Sequence, residues 1–152
     1  MKRFYGLLLL LPLFCLLCLP VSPAGAATTN PSPASSGYMV LPLIFDRTVS
    51  TASTPVIARL KMPFPATVVG VTASCETADY ASTDETYKID VLEAGTTILS
   101  APISMVAADT VYAGTLADSA LADESVVTVT LDVAGTTPSV TDVSVLLVLK
   151  RL

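Results

Sequence analysis

The sequence predicts an all-β domain, an antiparallel β-sandwich, and three observations predict it. Apolar and polar residues alternate at a period of two in several short runs, most clearly in 126–133 (VVTVTLDV) and 86–92 (TYKIDVL). Loops rich in Gly, Pro, Ser, Thr and Asp separate these runs at the spacing of strands. The part of the chain beyond the N-terminal apolar run holds no convincing helical pattern. About eight strands result, which suits a jelly roll of two four-stranded sheets packed face to face. An immunoglobulin-like sandwich is the other arrangement with this spacing, but its Cys and Trp hallmarks are missing and the chain has no Trp.

The hairpin at 86–99 shows the logic most plainly. Tyr87, Ile89 and Val91 share one face, and Lys88, Asp90 and Leu92 share the other. Glu93-Ala94-Gly95-Thr96 then turns the chain, with Gly95 free to take positive φ. The other elements repeat this in order. Run 38–45 (YMVLPLIF) is a strand that lies at an edge or breaks at Pro42, because proline cannot donate to a ladder. Residues 46–55 form a polar loop. Run 56–62 sets Val56, Ala58, Leu60 and Met62 against Ile57, Arg59 and Lys61. Pro63-Phe64-Pro65 turns the chain into strand 67–75, where Gly70 marks a bulge or a close approach. Residues 76–85 form an acidic loop, 105–110 a turn region, 111–116 a short strand, and 117–125 a loop with room for one helical turn. After strand 126–133, Gly135 and Pro138 make a turn, and 140–149 is the last and most apolar strand. The expected core between the sheets is Ile89, Val127, Val129, Leu131, Val143, Val145 and Leu147.

The first 26 residues read as a secretory signal peptide rather than as fold. Lys2 and Arg3 form a basic start, 7–19 (LLLLLPLFCLLCL) an apolar stretch, and Ala24-Gly25-Ala26 a small-residue cleavage pattern. An uncleaved membrane anchor competes, since no charge lies between Arg3 and Asp46, although Pro12 and Pro20 interrupt the run. Lipid attachment is disfavoured because Phe14 and Leu17 precede Cys15 and Cys18 where a small residue is needed. Cleavage predicts a secreted or extracytoplasmic protein, in the periplasm or at the cell surface, with no membrane span. Residues 27–37 then form a Pro/Ser-rich linker ahead of a β-domain at 38–152.

Cleavage also changes the charge. The whole chain carries 8 basic and 13 acidic residues; losing Lys2 and Arg3 leaves six against 13, a formal −7. Such a domain repels phosphate backbones, so nucleic acid is not an expected partner. Cys75 becomes the only cysteine, which excludes an internal disulfide and favours a buried, thiol-bearing apolar position.

Three passages carry a resemblance. One is Pro63-Phe64-Pro65-Ala66-Thr67-Val68-Val69-Gly70-Val71. The second is Tyr87-Lys88-Ile89-Asp90-Val91-Leu92 followed by Gly95-Thr96-Thr97-Ile98. The third is Ala122-Asp123-Glu124-Ser125-Val126-Val127-Thr128-Val129. Through them, residues 63–149 resemble the small jelly-roll domains of tailed-phage virion proteins found in fibre, decoration and receptor-binding subunits. Ala94 departs from the usual Asn before the turn glycine, and Glu124 stands where a Gly-Asp turn is common. The resemblance implies a binding or assembly role and names no catalytic residue.

The residue inventory agrees with a role outside catalysis. With no histidine, Ser-His-Asp and Cys-His nucleophile systems and imidazole acid–base chemistry are unavailable. No phosphate-cradling glycine loop occurs. Paired-carboxylate glycoside chemistry survives this filter, but the acids fall in loops or on outward strand positions and no Trp offers a sugar platform. The acidic loop is the one constellation able to take a cation: Asp79, Asp84 and Glu85 could supply oxygens to calcium, while a solvated loop is the plainer reading. No other cofactor is expected. Tyr80, placed in that exposed loop, is the candidate exposed, ligand-contacting residue; Tyr87 and Tyr112 lie in strands and are read as core or cross-strand partners. Two functions from different classes follow. One is an exported, non-enzymatic structural or adhesive module that associates with itself through its N-terminal arm. The other is a module that binds a carbohydrate or cell-surface ligand, with calcium if the acidic loop holds it.

Overall fold

The computed structural model describes residues 37–80 and 84–152. The signal-peptide reading, and the linker reading up to residue 36, therefore fall outside the described residues. Ten strands are present: β1 (Tyr38–Val49), β2 (Val56–Lys61), β3 (Ala66–Ala78), β4 (Thr86–Glu93), β5 (Thr96–Thr97), β6 (Ile103–Met105), β7 (Tyr112–Ala113), β8 (Ala120–Leu121), β9 (Val126–Ala134) and β10 (Val140–Arg151). They form two antiparallel sheets, and the described residues include no helix. The first sheet has the order β1-β10-β3-β7, with β8 also on β3. The second has the order β2-β9-β4-β5, with β6 also on β4.

The strand count exceeds the eight expected because two outer positions are each filled by a pair of short strands. Residues 98–102 separate β5 from β6, and residues 114–119 separate β7 from β8. Gly114 sits in the second break because the chain there runs against the core: a Cβ at this position would lie 2.9 Å from Ile103 Cδ1 and 3.1 Å from Leu99 Cδ2. The expected strand 111–116 consequently shrinks to β7 plus a single bridge from Leu116 to Leu99. In place of a helical turn, 117–125 contains β8.

Alternation sets the interior. Val127, Val129, Leu131 and Val133 of β9 are buried, as are Tyr87, Ile89 and Val91 of β4. From the facing sheet come Val143, Val145, Leu147 and Leu149 of β10, with Val68, Val71, Ala73 and Cys75 of β3. All seven expected core residues lie in this cluster. Hiding one Val or Leu side chain from water contributes about 1.5–3 kcal/mol, so the apolar interior is the main source of stability.

Three expected boundaries move. Strand β1 passes straight through Pro42, which stands in register with Leu146. It can do so because β1 is an edge strand, where a missing N–H need not remove a bond between two interior strands. It also runs on through the expected loop start at Asp46, with a register irregularity between Phe45 and Thr48. Strand β3 continues to Ala78, taking Glu76 and Thr77 out of the acidic loop, because β10 pairs with it as far as Val140↔Ala78. In β2 the register shifts between Val56 and Ala58, which leaves Val56 exposed instead of inward with Leu60 and Met62. Gly70 marks a bulge as expected, and the extra residue is its neighbour Val69: Val148 pairs with Gly70 and Leu149 with Val68.

The sandwich has two distinct ends. Loops 50–55, 106–111 and 135–139 share one with residues 79–80 and 84–85. There Asp79 N–H donates to Ser139 O at 2.8 Å and Asp109 N–H donates to Cys75 O at 2.9 Å. At the other end, Arg151 N–H donates to Gly37 O at 2.8 Å, and the Arg151 guanidinium stacks 4.7 Å from the centre of the Phe64 ring.

Candidate functional site

The candidate residues Asp79, Tyr80, Asp84 and Glu85 all lie at the loop end, between β3 and β4, and the turn between β9 and β10 comes down on them. Tyr87, first inward residue of β4, ties the two segments together. Its hydroxyl donates to Asp79 O at 2.7 Å and accepts from Ser139 N–H at 3.0 Å. Burial pushes the Tyr87 hydroxyl above its ordinary titration range.

Tyr80 is half-buried, which corrects its placement as an exposed loop residue. The edge-to-face packing of Tyr80 and Tyr87, with centroids 5.3 Å apart and planes at 87°, accounts for the change. The Tyr80 hydroxyl meets Cys75 Sγ at 3.8 Å. Burial raises both groups above their ordinary values. A thiol held protonated in this way is a poor nucleophile, so Cys75 behaves as the buried small apolar residue expected of it.

The carboxylates meet hydroxyls of the β9–β10 turn. Asp84 Oδ2 accepts from Thr136 Oγ1 at 2.6 Å and from Thr136 N–H at 3.2 Å. Glu85 Oε1 accepts from Thr137 Oγ1 at 3.2 Å. Glu85 is buried, 8% exposed, because Gly135 presses on it. A Cβ on Gly135 would stand 2.7 Å from Glu85 Cγ and 2.9 Å from Glu85 Cα, so only glycine fits. Calcium takes six to eight oxygens. The described residues hold no group of three or more Asp, Glu or Cys side chains placed for a metal, so Asp79, Asp84 and Glu85 are not assembled into such a set. The arrangement latches two loops together.

Thr136, Thr137, Ser139 and Gly135 complete this latch, and sequence reasoning missed them. Each hydrogen-bonded pair spans 52 residues, so no local spacing announces it; only the crowding of Gly135-Thr136-Thr137-Pro138 into one turn gives a hint.

A recess of about 260 Å³ opens between β6 and β7 and is lined by Ser100, Pro102, Ser104, Tyr112 and Thr115 among others. No charged side chain lines it. It is smaller than typical small-molecule sites. Among the described residues no helix is long and apolar enough to cross a membrane.

Fold and site together define a β-sandwich in which Asp84, Glu85 and Tyr87 join two loops at one end. No family model matches the sequence, and no curated protein sequence matches it. Among solved structures, the chain is similar to one from the cyanophage Pam1 capsid asymmetric unit. The TM-score is 0.51 and the identity 21%, with 76% of this chain and 84% of that chain covered. At that identity the likeness is one of fold, and it agrees with the virion-domain resemblance carried by residues 63–149.

Proposed function

We propose that this chain is a non-enzymatic structural subunit, built as a jelly roll, that works by associating with other protein chains. The observation that carries the reading is the similarity of fold to a phage capsid chain over 76% of the length. The strand orders β1-β10-β3-β7 and β2-β9-β4-β5 support the jelly-roll assignment, since β1 to β4 alternate between the sheets, the chain alternates again from β8 through β9 to β10, and the last strand lies between the first and third. The loop-end carboxylates support a structural role, because they bond to turn hydroxyls.

Export belongs to the same proposal and rests on the signal-like sequence of residues 1–26. The mature chain then starts at or near Ala27. Mass spectrometry of secreted material checks this, and an intact Met1 in a membrane fraction overturns it. Association through the arm ahead of β1 is one route to assembly. Against strand exchange, β1 pairs along its own β10 from Tyr38↔Lys150 to Val49↔Val140. Deleting residues 28–45 should therefore unfold the domain rather than release a soluble monomer.

Light scattering of the full chain, expressed with its natural processing, tests the structural reading. A mass above the monomer that grows with concentration is the expected result. A strict monomer at every concentration, retained on a glycan array, would replace it with the adhesive, ligand-binding reading.

A further inference from the structure

The two outer faces of the sandwich differ in kind. The second sheet shows charges of both signs across its middle, with Arg59 and Lys61 on β2, Lys88 and Asp90 on β4 and Asp132 on β9. The first sheet shows none across its middle. Rows read from the register run Val40–Val148–Gly70, Pro42–Leu146–Thr72 and Ile44–Ser144–Ser74. Val40 is 53% exposed, Ile44 71% and Leu146 37%. Charge returns at the margins of this face: Lys150 in the row with Tyr38 and Thr67 at one end, and Asp46, Glu76 and Asp142, with Arg47 beside them, at the other.

We propose that a second copy of this chain packs on the outer face of the first sheet, about a two-fold axis that crosses the strands at Leu146. The inference rests on the assembly reading above and names the surface that performs it. Charge selects the occupant and its orientation. An axis along the strands would set Lys150 on Lys150 of the other copy and Asp46 near its own image. An axis across the strands sets each Lys150 over the net-acidic margin of the other copy, where Asp142 of β10 stands opposite it with Asp46 and Glu76 on either side. The midpoint of that arrangement falls on the Leu146 row, so Leu146 meets its own image, and Val40 meets Ile44. Self-complementarity of this kind is what a two-fold interface requires.

The area is sufficient. With strands about 4.8 Å apart and about 3.3 Å per residue, four strand positions over the span 38–46 offer a footprint of roughly 500 Å². Two copies then bury roughly 1,000 Å², the lower bound of a specific interface.

The test compares the full chain with four variants by light scattering across a concentration series, with thermal melts to confirm folding. Leu146→Asp and Ile44→Asp point outward, should melt as the parent does, and should each raise the dimer dissociation constant at least about tenfold. Lys150→Glu should weaken the dimer, and Lys150→Glu combined with Asp46→Lys should restore it. If the parent assembles and both Asp variants assemble equally, the face is not the interface and the structural reading stands without it. If the Asp variants dissociate but the charge swap does not rescue Lys150→Glu, the antiparallel arrangement is wrong. A parent chain that is monomeric throughout overturns the inference together with the structural reading, and leaves this face to its own N-terminal arm or to a different protein.

Discussion

Replacing Gly135 by alanine should be among the most damaging single-methyl changes in the protein. Gly135 has φ of +129°, a conformation that costs a residue with a Cβ about 1–3 kcal/mol. The added methyl would also sit 2.9 Å from Glu85 Cα. That neighbour is backbone and cannot rotate away, so the turn must shift. Shifting it strains the Thr136–Asp84 and Thr137–Glu85 bonds, each worth about 1 kcal/mol net. The sum is about 2–5 kcal/mol. At roughly 3–5 °C per kcal/mol for a domain of this size, the melting temperature should fall by roughly 10–20 °C. Gly95→Ala is the internal control: its φ is +89° and nothing lies within 4 Å of the new methyl, so only the backbone term of about 1–2 kcal/mol applies. Urea denaturation of the two variants separates strain from contact. Equal losses, or a Gly135→Ala loss under about 1 kcal/mol, would show that the contact with Glu85 carries no weight.

Four further outcomes are expected. Leu131→Ala, at a fully buried site paired with Ile89, should cost about 2–5 kcal/mol in urea; a loss below about 0.5 kcal/mol would overturn the β9 register. Tyr87→Phe removes one hydroxyl that serves two backbone groups, and should cost about 1–3 kcal/mol while speeding hydrogen exchange at the Ser139 amide; an unchanged Ser139 rate would contradict the latch. Ala94→Asn should stabilise by about 0.5–1 kcal/mol, because Ala94 holds φ of 48° beside Gly95 where an Asn-Gly turn is preferred; a lower melting temperature counts against it. Stability should fall above pH 9.0, the ordinary value for the Cys75 thiol. Cys75, Tyr80 and Tyr87 are all raised by burial, so the native state keeps protons that the unfolded chain releases, and unfolding free energy declines with pH from there upward. A urea midpoint that holds steady to pH 11 refutes this.

Period-two alternation made the long strands legible. In β9 each of Val127, Val129 and Leu131 is buried and Thr128 and Thr130 are not, since a half-buried strand can satisfy its core in only one register. The hairpin at Gly95 was legible because positive φ has few occupants. What alternation cannot report is where a neighbouring strand ends. Glu76 and Thr77 look like loop, yet they are strand because β10 reaches Ala78. Pro42 looks like a stop, yet position at an edge makes it harmless. The site was legible only by half. Tyr80 and the acids were visible as types, but their partners lie 52 residues away and Tyr80's burial depends on Tyr87's ring. The rows on the outer face of the first sheet required register across three strands, which no single strand contains.

Strand β10 lies between β1 and β3, although the ribosome makes it after every other strand described. Until it is present, β1 has no ladder partner and half of the buried wall facing β9 is missing. Folding of this domain therefore waits on translation of Val140–Arg151, in contrast to repeats or helical hairpins that condense as they emerge. Chains halted or clipped ahead of Val140 lose the centre of a sheet rather than a tail.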